Sequence, residues 1–139
     1  MRIEASIENR QQHHAVAVST NGIFHELGIP PTLGAPGSSV NGGEMLCVAL
    51  ATCYCNDLYR EAKQRGVEVL LVNVDVQAEF GGPGEPAKSL SYRASVAARS
   101  PEEKIRELMP HTDKVAEIQN TLRRGMAVSY EIAEILSED

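Results

Sequence analysis

Apolar and polar positions change their spacing several times along the chain, and each change marks an element. Arg2–Glu8 alternates weakly and His13–Ser19 reads H-H-A-V-A-V-S, the period-two pattern of strands covered on one face. The Asn21-Gly22 pair comes next, a strong two-residue hairpin signal leading into a run that extends to Ile29, so residues 1–29 are predicted to be antiparallel strands. Residues 30–43 are rich in Pro, Gly and Ser, too broken for regular structure and long enough to serve as a functional loop. From Met45 to Tyr54 only Thr52 is conventionally polar. That composition predicts a central helix over 44–65, surrounded by protein along its first half and stopped by Gly66.

Val67–Phe80 is long and rich in β-branched residues, with Val72, Val74 and Val76 in alternation. A Gly-Gly-Pro-Gly turn at 81–84 sends it back into Lys88–Ala98, which predicts a second antiparallel pair within 67–98. Ser100-Pro101-Glu102-Glu103 has the form of a capping box with Pro at the first helical position, predicting a helix over 101–109 that Pro110 interrupts. A further helix is expected over 113–124, stopped by Gly125, and a last strand over 126–132. No internal repeat or low-complexity segment is visible.

A length of 139 residues predicts one domain, residues 1–139. With no Trp, two Phe and four Tyr the chain is short of bulk for a core, and a homodimer sharing one core relieves that shortage. A formal charge of −6 without any Lys/Arg run argues against nucleic acid and anionic membrane as partners. The N-terminus lacks the apolar stretch of a signal peptide, and no segment has the continuous apolar length of a membrane span, so a soluble, cytoplasmic protein is expected.

All three cysteines, Cys47, Cys53 and Cys55, fall in the central helix. On an intact helix Cys53 and Cys55 point about 200° apart, and Cys47 lies about 9 Å and 12 Å along the axis from them. A disulfide needs Cα atoms within about 7 Å and converging Cβ vectors, so no intrachain bridge forms and the thiols are expected to be reduced. Cys47 and Cys55 are expected to serve as packing. Cys53, His14, His111 and Asp57 would suit zinc chemically, yet none has the local spacing of a metal motif; no metal and no cofactor is expected. A reactive thiol requires a neighbouring cation to lower its pKa, because burial acts the other way. Arg10, His13, His14, His111, Arg123 and Arg124 are the candidates. His111 shares a helical face with Val115, Ile118 and Leu122, which puts it near the buried side at that helix's entrance.

Strands, a Gly/Pro loop, a long helix with a mid-helix cysteine in Ala51-Thr52-Cys53-Tyr54, more strands, and Asn120-Thr121-Leu122-Arg123 in a C-terminal helix together resemble the OsmC/Ohr superfamily over most of the chain. The resemblance implies an α+β fold, with antiparallel sheets wrapped around a long central helix in an intertwined homodimer whose active sites lie where the subunits meet. It also implies thiol peroxidase activity on organic hydroperoxides, an antioxidant role in stress response, with Cys53 as the peroxide-attacking residue and Arg10 as the arginine supplied by the N-terminal strands. Two key positions, the active-site glutamate and the resolving cysteine, depart from the family's pattern. Aligning Asn41 with the family's N-P-E puts Gly42 and Gly43 where Pro and Glu belong, with Glu44 one residue late, and Ala116 stands where the resolving cysteine belongs. The expected catalytic set is therefore Cys53, Arg10, Glu44 and His111, acting as a single-cysteine peroxidase on an organic hydroperoxide or other apolar small molecule with an external thiol reductant. The alternative is a non-enzymatic protein of the same fold that binds a small ligand.

Overall fold

The computed structural model describes residues 1–138. Two compact units are distinguished, Met1–Val48 and the remainder from Ala49.

The first unit holds a three-stranded antiparallel sheet of β1 (Ile3–Arg10), β2 (His13–Thr20) and β3 (Ile23–Leu27), in that spatial order. Thr20 pairs with Ile23, which leaves Asn21 and Gly22 as the two-residue turn with φ of 50° and 80°. Both angles are positive, as a type I′ hairpin requires. Asn21 also fastens the sheet's far edge: its backbone N–H donates to the Arg2 carbonyl at 2.8 Å, and its Oδ1 accepts from the Arg2 N–H at 2.9 Å. The loop after β3 folds on itself through a Pro31–Ser38 bridge and a hydrogen bond from the Thr32 hydroxyl to the Ser38 carbonyl at 2.7 Å.

Helix α1 (Gly42–Gln64) begins two residues before the expected start. The cause is a reciprocal cap: the Glu44 N–H donates to Asn41 Oδ1 at 2.7 Å and the Asn41 N–H to Glu44 Oε1 at 2.8 Å, the two bonds of a capping box. At its other end Gly66 adopts φ 65°, and Val67 N–H reaches back to the Ala62 carbonyl at 3.0 Å, a Schellman ending. Within the apolar run 45–54 of the single chain, Leu50 and Tyr54 are buried while Met45 and Val48 are 37% and 55% exposed.

The second unit contains the antiparallel pair β4 (Glu68–Phe80) and β5 (Ala87–Arg99), then α2 (Glu102–Val115) and α3 (Glu117–Arg124). Its core is Tyr54, Leu58, Ala62, Val67 and Leu108, against which Val69, Val72, Val74, Tyr92, Ala94 and Val96 pack. Val69 and Val72 both reach the core although they differ by an odd number. Val69 pairs with Ala98 and Leu71 with Ala97, so Leu70 is an extra residue, and such a bulge reverses the facing of every later residue in the strand.

Three expectations fail here. No capping box opens α2, since Pro101 occupies the cap position without any side-chain hydrogen bond. Pro110 lies inside α2 instead of ending it. Its missing N–H costs one hydrogen bond, but the surrounding turn is tied by the Thr112 hydroxyl donating to the Leu108 carbonyl at 2.9 Å and by Tyr54 Oη–H donating to the Met109 carbonyl at 3.1 Å. The break comes at Ala116, which is extended at φ −72° and ψ 114°. The third failure is the strand over 126–132, which does not form among the described residues. Its alternating side chains Val128 and Tyr130 are exposed, and a strand without a neighbour has nothing to pair its backbone with. No described helix is long and apolar enough to cross a membrane.

Candidate active site

Cys53 lies in the middle of α1, and one helical turn later Asp57 presents its carboxylate on the same face, as residues four apart must. The Cys53 thiol donates to Asp57 Oδ2 at 3.4 Å. The first residue of α3 supplies a second acceptor, with Glu117 Oε1 at 3.7 Å from the sulfur. Two contacts place α3 there. Gln119, almost fully buried, donates from Nε2 to the Leu50 carbonyl of α1 at 3.0 Å, and fully buried Ala116 brings the turn before Glu117 close against its surroundings.

Arg60 braces the two acids from one nitrogen: Nη1 is 3.1 Å from Asp57 Oδ1 and 3.3 Å from Glu117 Oε2. Its Nε binds Glu61 Oε2 at 3.0 Å. Glu61 in turn meets His111 Nε2 at 2.6 Å and Arg65 at 3.4 Å. One continuous network therefore runs from Cys53 through Asp57 and Arg60 to Glu61 and His111.

The charges differ from those expected around a peroxidatic thiol. Burial pushes the Cys53 thiol up; a hydrogen bond from the Ile118 backbone opposes this, and the nearby Asp57 and Glu117 carboxylates add to the rise. Burial also raises Asp57, reinforced by the neighbouring Glu117 carboxylate and only partly offset by Cys53 and Arg60. For Glu117 burial acts upward but is outweighed by its own backbone N–H, Asp57 and Arg60, which hold it below the ordinary carboxylate range. The hydrogen bond from His111, and after it that from Arg60, lowers Glu61. Adjacent carboxylates with pKa values driven apart are the usual signature of one acid and one base.

Tyr54, next in sequence to Cys53, lies about 100° around the helix from it and is buried in the core. Its ring meets Tyr92 edge-on with centroids 5.4 Å apart. Tyr92 Oη–H donates to Asp113, which also binds Arg123 Nη2 at 2.7 Å. Burial, and then the charge of Asp113, pushes Tyr54 up to about 12; burial and the bond to Asp113 raise Tyr92 as well. Both phenols stay neutral at working pH. They line an open cavity of about 420 Å³ together with Leu90, Met109, Asp113 and Arg123.

Of the four expected site residues, Cys53 and His111 share the hydrogen-bonded network. Arg10, on β1, is an exposed residue paired with Glu8 at 3.1 Å. Glu44 is engaged in the cap of α1. Among the other expected cations, His14 meets Asn9 at 3.0 Å and Arg123 is bound to Asp113. The groups that hydrogen-bond the thiol are two acids, and the cation of the cluster is Arg60, a residue outside the expected set. Its i, i+3 spacing from Asp57, and the i, i+4 spacing of Asp57 from Cys53, were readable signals. Glu117 carried none, being 64 positions away from Cys53.

All three cysteines are free. Cys53, Asp57 and Glu117 offer one sulfur and two oxygens within 4.8 Å of one another, but the guanidinium of Arg60 already occupies both carboxylates, and a cation would have to displace it.

Residues 35–131 match the family model described as OsmC-like protein. Among solved structures, an OsmC-like protein from Mycoplasma pneumoniae superimposes with a TM-score of 0.61 at 16% identity, over 88% of this chain and 86% of that one. A hypothetical protein from Aquifex aeolicus VF5 does so with a TM-score of 0.65 at 14% identity, over 89% of each chain. An organic hydroperoxide resistance protein from Elizabethkingia anophelis gives 0.56 at 17% identity, over 86% of each. At these identities the likeness is one of fold, α+β with antiparallel sheets and three helices. No curated protein sequence matches the chain.

Proposed function

The chain belongs to the OsmC-like protein family, and from that premise we propose that it is a single-cysteine thiol peroxidase that reduces organic hydroperoxides through Cys53. One observation carries the proposal: a partly exposed thiol is hydrogen-bonded to two carboxylates that Arg60 braces. A thiol so placed needs no preformed thiolate, because a carboxylate can accept its proton as the sulfur attacks. Organic hydroperoxide resistance proteins among the structures of the same fold agree in chemical direction.

In the first half-reaction the Cys53 sulfur attacks the distal peroxide oxygen; the S–O bond forms, the O–O bond breaks, and the products are Cys53 sulfenic acid and an alcohol. In the second, one external thiol condenses with the sulfenic acid to release water and leave a mixed disulfide. Another thiol then displaces it, restoring Cys53 and releasing the reductant as its disulfide. Ala116, at the position where the resemblance calls for a resolving cysteine, offers no internal thiol. The working form is proposed to be a homodimer, in which a second copy would cover apolar side chains such as Ile3, Ile7, Met45 and Val48 that the single chain leaves exposed.

The test is turnover of cumene hydroperoxide, with dithiothreitol as reductant, by a Cys47→Ala/Cys55→Ala chain that keeps only Cys53. Many equivalents of alcohol per chain are expected. Less than one equivalent would favour the second reading, a protein of the same fold that binds a small ligand. That reading draws on the upward push on Cys53 and on the cavity beside Tyr54 and Tyr92, and it predicts a co-purifying small molecule.

A further inference from the structure

We propose that Glu117 and Asp57 are the base and the acid of the Cys53 reaction, with Arg60 as the residue that positions both, an assignment that presupposes the peroxidase function above. The geometry restricts the candidates. Among the described residues only these two side chains hydrogen-bond the sulfur, from α3 and from the next turn of α1 respectively. Arg60 Nη1 touches one oxygen of each acid, 3.1 Å from Asp57 Oδ1 and 3.3 Å from Glu117 Oε2, leaving the opposite oxygens, Asp57 Oδ2 and Glu117 Oε1, turned to the thiol. The two acids differ in surroundings. Asp57 is buried, whereas the Glu117 side chain is 54% exposed. Burial favours the neutral carboxylic acid and exposure the carboxylate, the same division as the opposed directions of their pKa values. The remaining charged groups of the cluster, Glu61, Arg65 and His111, bind one another or Arg60 and make no hydrogen bond to the sulfur.

The step balances with these two groups alone. Glu117 takes the thiol proton as the sulfur bonds to the distal oxygen of the hydroperoxide. The O–O bond breaks with its electron pair going to the departing alkoxide, which takes the proton of Asp57 and leaves as the alcohol. The thiol is oxidised to sulfenic acid and the hydroperoxide is reduced. Transfer of a proton from Glu117 to Asp57, whose carboxyl groups adjoin, resets the pair. Neither acid is the glutamate that the family resemblance would supply, which aligns with Gly43.

Two reactions of Cys53 separate the roles. Alkylation by iodoacetamide releases iodide and needs no acid, whereas oxidation by cumene hydroperoxide does. In the full chain, both are monitored at the Cys53 peptide by mass spectrometry as pH is varied. Asn has the shape of Asp but no proton to give to an alkoxide, so Asp57→Asn is expected to slow oxidation near neutral pH by about 10²-fold, the usual worth of a positioned acid, without slowing alkylation. Glu117→Gln removes an anion and a base. It is expected to lower the alkylation midpoint by about one pH unit and also to slow oxidation, and as a change at a half-exposed position it keeps the test open should Asp57→Asn misfold. An Asp57→Asn protein that alkylates at lower pH and oxidises faster would overturn the proposal by showing Asp57 to be a charged repeller. Equal slowing of both reactions would overturn it in favour of a structural role. Should the parent chain resist hydroperoxide altogether, the peroxidase function falls and the assignment with it; a parent that oxidises alongside an unaffected Asp57→Asn removes the assignment alone.

Discussion

Replacing Cys53 by serine is expected to abolish hydroperoxide turnover, with a loss in kcat/KM on the order of a thousandfold or more, while leaving the fold intact. Oxygen and sulfur occupy similar space, and the serine hydroxyl can keep donating to Asp57, 3.4 Å from the sulfur in the parent. What disappears is the nucleophile: a hydroxyl is far less acidic than a thiol and does not open the O–O bond. Because burial and two acids push the Cys53 thiol up, the parent thiol stays protonated at neutrality and its proton passes to a carboxylate as the sulfur attacks, so activity is expected already at neutral pH and falls in acid as that carboxylate becomes protonated. Steady-state assays with dithiothreitol check both statements. Residual turnover in Cys53→Ser comparable to that of the parent would place the chemistry on another residue. Serine substitutions at Cys47 and Cys55, neither of which hydrogen-bonds an acidic side chain in the manner of Cys53, are expected to retain it.

Leu58→Ala is expected to destabilise the protein by about 3 kcal/mol, within the usual range of about 2–5 for a buried leucine truncated to alanine. Leu58 has no exposed surface and sits among Tyr54, Ala62, Val67 and Leu108, so four neighbours lose contacts at once and none is a flexible chain end that can fill the space. With natural stabilities near about 5–15 kcal/mol, the variant should lose a large part of its margin. It should also lose activity on warming before the parent does, because Leu58 adjoins Asp57 and shares the helix that carries Cys53. Chemical denaturation measures the change; a loss below about 1 kcal/mol would mean that this core contributes little to stability. The two halves of α1 differ in this respect. Leu58 is buried although it lies outside the apolar run 45–54, while Val48, inside that run, is exposed.

That contrast explains which parts of the fold were legible. The hairpin at Asn21-Gly22, the α1 ending at Gly66 and the pairing of β4 with β5 arise from residues near one another in sequence, where turn chemistry and alternation act directly. The extra residue Leu70 did not announce itself, because both β-branched runs around it keep an acceptable alternation and only the partner strand reveals the shift. Pro110 has the local character of a helix end. It is held inside α2 by contacts from outside that helix's own sequence, chiefly the hydroxyl of Tyr54 on the Met109 carbonyl. For residues 126–132 the period-two pattern was present without a partner among the described residues, and a pattern alone does not make a strand.

The site divided in the same way. Cys53 stood out by its setting, and Asp57 and Arg60 lie one turn apart on its helix at spacings that bring side chains together. They fell outside the expected set because a reactive thiol calls for a cation against the sulfur, whereas here the sulfur meets acids and the cation stands behind them. Nothing local ties Glu117 to a thiol 64 positions earlier. His111 was expected near the buried side of its helix, and its partner is Glu61 at 2.6 Å. Glu44 carries two local signals. A residue one position away from a family motif invited a chemical role, while its spacing of three from Asn41 was that of a helix cap.

Mass spectrometry of the parent chain after one equivalent of cumene hydroperoxide, with dimedone present to trap sulfenic acid, reads out directly whether Cys53 is the thiol that reacts. A single dimedone adduct is expected, on Cys53, with Cys47 and Cys55 unmodified. No adduct on Cys53 under conditions where the hydroperoxide persists, or an adduct on Cys47 or Cys55 instead, would contradict it.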